Sequence, residues 1–244
     1  MMQVSSIIFG LIIGSFLNVV IYRLFHGGSI FFSRSACPFC HRSLTPWELV
    51  PVLSFICLRG RCHTCKRKIS WRYPAVELIT AITFFLLAQN FLFWPQFVFA
   101  SFLIVIAVFD LKHYLILDKV LWPAILLAVL VNLGSGSFWN GLFSGLGLAG
   151  FFLAQYFISQ GRWIGFGDVK LGLLLGLILG WPQVLVGAAL AYFSGALVGI
   201  GLIAWGKKQF SSKLPFGTFL AFSAIIVMIW GQSIVKWYLN LIGL

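Results

Sequence analysis

The stretch Phe97-Val98-Phe99-Ala100-Ser101-Phe102-Leu103-Ile104-Val105-Ile106-Ala107-Val108-Phe109-Asp110-Leu111-Lys112 decides the fold class. An uncharged run ends abruptly on a carboxylate and an ammonium. Burying either charge in lipid costs several kcal/mol, so the charges mark where the run leaves the bilayer. Working outward, apolar runs fill roughly 4–25, 74–91, 93–110, 119–134, 138–159, 169–181, 183–206 and 215–239. A spanning helix needs about 20 residues, and the 169–181 run is short. The chain is 61% hydrophobic, against about 45–50% for a soluble domain. The expected fold is therefore an all-α polytopic membrane protein, a bundle of about eight transmembrane helices, with seven as the alternative count. Trp139, Trp163, Trp181, Trp205 and Trp230 fall near expected helix ends, as interfacial anchors do.

Charge sets the expected orientation. The first run has no basic residue before it and Arg23 after it, the reverse of a secretory leader. It reads as a retained helix with its N-terminus outside. The inner connections are then 26–73, 111–118, 160–168 and 207–214. Nearly all of the 17 Lys and Arg lie on or beside them, and only Lys236 falls near the outer side. This positive-inside bias accounts for the net charge of +12. The basic residues are spread over loops rather than along one groove, so nucleic acid is not expected as a partner.

The one sizeable polar region, 26–73, is too small for a large core and needs a staple. It contains Cys37-Pro38-Phe39-Cys40 and Cys62-His63-Thr64-Cys65, two CxxC knuckles 21 residues apart. Two such knuckles complete a tetrahedral four-sulfur site for structural Zn2+. Two disulfides are the alternative, but the charge pattern puts this loop in the cytosol, where thiols stay reduced. His41 and His63 are not needed as ligands. Cys57 reads as a buried small hydrophobe. The expected organisation is a first helix at 1–25, a zinc-binding loop at 26–73 and a bundle at 74–244. Within that bundle two series recur at four-residue spacing, Gly172, Gly176 and Gly180, then Gly187, Ala191, Gly195 and Gly199, which lets helices pack closely.

Only five acidic residues exist. Asp110 ends the third run, and Asp168, in Gly165-Phe166-Gly167-Asp168, opens the sixth. The expected topology puts both at the same face and depth. Two neighbouring carboxyls share a proton. One then activates water while the other polarises a scissile carbonyl, as in aspartic proteases. Gly165 and Gly167 keep bulk away from a substrate backbone. Asp118, beside Lys119, reads instead as a solvated cap or ion-pair partner, and His113 lies one turn from Asp110.

In sequence order, several segments resemble one family. They are Gly14-Ser15-Phe16-Leu17-Asn18-Val19-Val20-Ile21-Tyr22-Arg23-Leu24, the two CxxC pairs flanking Leu44-Thr45-Pro46-Trp47-Glu48-Leu49-Val50-Pro51, and Ile69-Ser70-Trp71-Arg72-Tyr73-Pro74-Ala75-Val76-Glu77-Leu78. Phe109-Asp110-Leu111-Lys112, Gly165-Phe166-Gly167-Asp168-Val169-Lys170 and Leu214-Pro215-Phe216-Gly217 follow. Together they resemble the bacterial type IV prepilin peptidases, bifunctional leader peptidases and N-methyltransferases of the GxGD aspartyl type. Two positions depart from the family pattern: Leu117 stands before Asp118, and Thr218 follows Gly217, where proline is common at both.

The resemblance implies that Asp110 and Asp168 are the catalytic pair. It implies cleavage of a basic leader from type IV prepilins or type II secretion pseudopilins at the cytosolic face of the bacterial inner membrane. Methylation of the new N-terminus from S-adenosylmethionine then follows. Glu48 and Glu77 are the carboxylates available to hold that donor, and Glu77 equally suits a cap or a pairing with Arg72. Alternatives are an intramembrane aspartyl protease without methyltransferase activity, which gives no reason for the CxxC pairs, and an ion-coupled transporter, which favours midplane carboxylates. A non-enzymatic assembly protein docked through a zinc module is a further alternative.

Overall fold

The computed structural model describes residues 2–26, 34–90, 94–206 and 214–241. The opening of the expected loop at 27–33, and Lys207, Lys208 and Lys213 of the last inner connection, lie outside the described residues. The elements are α1 (Met2–His26), α2 (Leu53–Cys57), α3 (Arg72–Asn90), α4 (Trp94–His113), α5 (Asp118–Ser135), α6 (Phe138–Ser159), α7 (Phe166–Leu179), α8 (Gln183–Ala204) and α9 (Phe216–Leu241). A 3-10 turn covers Pro46–Leu49. Extended pairing among the described residues is limited to the isolated bridges Ala36–Ser43 and Arg61–Lys68.

Each expected apolar run carries one helix. Among the described residues, six helices are long and apolar enough by themselves to cross a membrane, which makes this a multi-pass membrane protein. The two that fall short are α3, diluted by Glu77 and Gln89, and α7, which has 14 residues. At 1.5 Å per residue α7 is about 21 Å long, against a hydrocarbon core of about 30 Å.

The chain divides into two compact units, Met1–Ser101 and Phe102–Leu244, with the boundary inside α4. In the first unit α1 lies on α3. A Cβ at Gly14 would stand 2.7 Å from the Glu77 Cα, and one at Gly10 2.6 Å from the Ala81 Cα. Buried Asn18 of α1 donates to the Tyr73 carbonyl at 2.9 Å, and buried Phe84 of α3 packs its ring 5.8 Å from Phe9 of α1.

In the second unit α7 is the core. Leu171, Leu174 and Leu175 are fully buried, as expected for a helix that is apolar all round. It packs against α5, α6, α8 and α9. Asn132 of α5 donates to the Leu177 carbonyl at 2.8 Å, satisfying a polar side chain that would otherwise be costly in this setting. Gly172 accommodates the Phe152 ring, where a Cβ would stand 2.7 Å from it, and Gly176 lies on the backbone of Gly145. The expected small-residue packing holds at these positions. Gly180 differs: at φ +66° it caps the C-terminus of α7, so its conformation rather than its size is what is used.

The Gly145–Gly176 contact generates a stability prediction. A side chain at 176 would overlap the backbone of α6, and backbone cannot swing aside. Gly176→Val should destabilise the protein by roughly 1–3 kcal/mol or more, read as a lower thermal midpoint in detergent. Gly147→Ala, where a Cβ meets nothing within 4 Å, should leave the midpoint within error or slightly higher.

Candidate active site and metal cluster

Asp110 sits in the last turn of α4 and is 5% exposed; Asp168 sits in the first turn of α7 and is 8% exposed. Ile116 touches the turn beside each of them, meeting Gly167 next to Asp168 and Gly217 next to Asp110. Each is held by a backbone donor. The Gly165 amide, at the N-cap of α7, donates to Asp168 Oδ2 at 3.1 Å, the geometry of the reciprocal half of a capping box. The Thr218 amide, in the first turn of α9, donates to Asp110 Oδ2 at 2.7 Å. The flanking glycines serve the fold as much as any ligand. A Cβ at Gly217 would stand 3.1 Å from Asp110 Oδ2, and one at Gly167 would stand 3.1 Å from the Ile116 Cβ. Gly167 therefore makes room for a residue of its own chain, whereas Gly165 faces open space apart from Asp168 Oδ2.

Asp118 is the exposed member of the aspartates, with 56% of its side chain accessible. The expected pairing with Lys119 is corrected: Lys170 Nζ lies 2.7 and 2.9 Å from the two Asp118 oxygens. Lys170 is two residues past Asp168 and also stands 5.3 Å over the Phe166 ring. The pair thus ties the start of α5 to the start of α7. Sequence spacing hid it, because the partners are 52 residues apart. His113 packs its ring 4.9 Å from Phe109.

The four cysteines Cys37, Cys40, Cys62 and Cys65 come together, their sulfurs all within 4.8 Å of one another, and they could hold a metal ion. The two knuckles repeat one design. The Cys37 amide donates to the Arg42 carbonyl and the Cys62 amide to the Arg67 carbonyl. His41 and Lys66, each just past the second cysteine, both take φ +55°. Backbone amides of Cys65 and Thr64 aimed at the Cys62 sulfur lower its pKa to about 6, favouring the thiolate that binds metal. Cys37 and Cys65 sulfurs are 3.9 Å apart, well beyond a disulfide bond. Cys57 is exposed at the end of α2, which corrects the expectation that it is buried: α2 is a five-residue helix with no buried residue.

Glu48 is engaged within the same loop. Its Oε1 pairs with Arg42, and its Oε2 accepts the Thr45 amide and hydroxyl, both at 2.9 Å. Burial favours its neutral form, but the Thr45 amide, Arg42 and the Thr45 hydroxyl together hold its pKa below the ordinary value. Glu77 is buried and accepts the Val52 amide at 2.8 Å. Its expected pairing with Arg72 is replaced by that amide, while the Arg72 guanidinium lies 5.2 Å over the Tyr73 ring.

A membrane-embedded helical protein with two buried aspartates at helix ends and a four-cysteine loop has the parts of an intramembrane aspartyl peptidase. Comparison with known proteins makes the class specific. Residues 8–91 match the model of the bacterial peptidase A24 N-terminal domain, and residues 97–200 match that of the type IV leader peptidase family. A prepilin leader peptidase/N-methyltransferase of Bacillus subtilis (strain 168) is 36% identical over 242 residues, covering 96% of both chains. The proteins of that name from Aeromonas hydrophila and Legionella pneumophila are 34% and 31% identical, each over 96% of this chain and over 92% and 93% of their own. No solved structure matches. The chain belongs to the type IV leader peptidase family.

The cysteine cluster carries its own prediction. Purified under reducing conditions without chelator, the protein should hold one metal ion per chain. Cys62→Ser should lose it, because three thiolates leave the site open and the loop has little other core. Elemental analysis reads the metal, and limited proteolysis should cut within 34–71 only in the variant.

Proposed function

We propose that this protein is a prepilin leader peptidase and N-methyltransferase of a bacterial inner membrane. The observation that carries the reading is the pair of buried aspartates, Asp110 at the end and Asp168 at the start of apolar helices, in a chain that matches such enzymes nearly end to end. In the proposed mechanism one carboxylate takes a proton from water. The other, protonated, donates to the scissile carbonyl as the water oxygen attacks its carbon. Collapse of the tetrahedral intermediate passes a proton to the departing amine. The positive-inside bias supports an outside N-terminus, with the dyad and the cysteine loop on the cytosolic side. A substrate anchored by an apolar helix meets water there.

We assign Zn2+ to the four cysteines. A zinc–sulfur distance of about 2.3 Å in a tetrahedron puts sulfurs about 3.8 Å apart, and the Cys37–Cys65 separation of 3.9 Å supports it. The ion would serve as a staple for the loop, since all four positions are filled by protein. For methyl transfer, S-adenosylmethionine is the donor implied by the family. Glu48 and Glu77 are its candidate contacts through its amino or hydroxyl groups, although Glu48 already braces the loop through Arg42 and Thr45.

Asp110→Asn and Asp168→Asn should each reduce leader cleavage by purified protein to background while membrane insertion is kept, since an amide is neither base nor proton carrier. Wild-type rates in either variant would refute the pair. Asp118→Asn should retain substantial cleavage, because Asp118 is occupied by Lys170. A two-step assay separates the methyl transfer. The dyad variants should still methylate a pre-cleaved pilin. Glu48→Gln should lower methylation more than cleavage, and equal loss of both would mean that Glu48 only braces the loop.

A further inference from the structure

We propose that Thr218 is the positioning residue of Asp110, and that its hydroxyl changes hydrogen-bond partner as Asp110 gains and loses a proton. The proposal rests on the dyad reading above. Three observations carry it. The Thr218 amide is 2.7 Å from Asp110 Oδ2, a length typical of a charge-assisted bond, and is 3.2 Å from the Pro215 carbonyl. The Thr218 hydroxyl is 3.1 Å from the same Oδ2 and 3.2 Å from the Ala107 carbonyl. Both Thr218 and Asp110 are buried.

The hydroxyl has one proton and two lone pairs, whereas the Ala107 carbonyl can only accept. When Asp110 is ionised, the hydroxyl donates to Oδ2. When Oδ2 carries the proton, that proton is donated to the Thr218 oxygen, and the hydroxyl turns its own proton to Ala107. Both states leave the Thr218–Asp110 contact satisfied, so a proton can come and go at Asp110 without stranding a buried polar atom there. The amide fixes the geometry meanwhile. Gly217 is what lets the first turn of α9 come this close, since a Cβ there would also stand 2.8 Å from the Ile116 Cδ1. Asp168 has the Gly165 amide as its anchor, without an equivalent hydroxyl bond among those described. Proline at 218 would bring neither donor.

The test measures kcat and KM for cleavage of a membrane-anchored prepilin in proteoliposomes. The variants are Thr218→Ser, which keeps both donors, and Thr218→Val, which keeps the shape and the amide only. Thr218→Ser should stay within about threefold of wild type. Thr218→Val should lose roughly tenfold or more in kcat at unchanged KM, with its thermal midpoint close to that of Thr218→Ser. Thr218→Val with kcat within threefold of wild type, a Thr218→Ser loss equal to that of Thr218→Val, or an effect confined to KM overturns the proposal. An Asp110→Asn control that still cleaves overturns the dyad reading itself. An inactive control beside a normal Thr218→Val overturns only the positioning role.

Discussion

A carboxyl group taken out of water must meet donors or lose several kcal/mol, and the second unit is arranged so that two of them do. Asp168 is met by the Gly165 amide at the N-cap of α7, and Asp110 by the Thr218 amide at the start of α9. Both donors are amides of helix beginnings, which lack the i−4 partner of the helix interior. That requirement dictates where α7 and α9 start relative to the end of α4. It also explains the glycines beside each start. Bulk at 217 would push α9 off Asp110, and bulk at 167 would collide with Ile116.

The shortness of α7 belongs to the same arrangement. A 14-residue helix begins on the Gly-Phe-Gly turn that carries Asp168 and stops at Gly180. Because it is enclosed by α5, α6, α8 and α9, it can be apolar on every side and still be a protein core rather than a lipid-facing span. The close approach at Gly145–Gly176 and the Asn132–Leu177 bond then lock its depth. The Asp118–Lys170 pair adds a polar tie at its exposed end. Surface ion pairs contribute little stability, so this one matters for orientation more than for energy.

The first unit solves a different problem. Its polar loop has few residues for a core, and two turns of identical backbone design place four sulfurs in one cluster. Glu48, Arg42 and Thr45 knit the segment between the turns. The Val52 amide donates to Glu77 of α3, which connects the loop to the helix pair beneath it. Glu77 is thus enlisted in the fold.

Much of this was determined by the sequence alone. Apolar runs and their charged ends give the helices, because lipid tolerates neither a free charge nor an unpaired backbone group. The CxxC spacing gives the cysteine cluster, since each knuckle is a local turn. Asp110 and Asp168 stand out because so few carboxylates exist in the chain. What only the tertiary structure decided are the partners distant in sequence: Thr218 on Asp110, 108 residues away, and Lys170 rather than Lys119 on Asp118. It likewise decided the Val52 amide rather than Arg72 on Glu77, and the exposure of Cys57. Periodicity and composition report which face of a helix is apolar, but not which neighbour that face meets. A side chain's partner is fixed by helix depth and rotation, and these follow from close packing at glycines whose contacts no local pattern encodes.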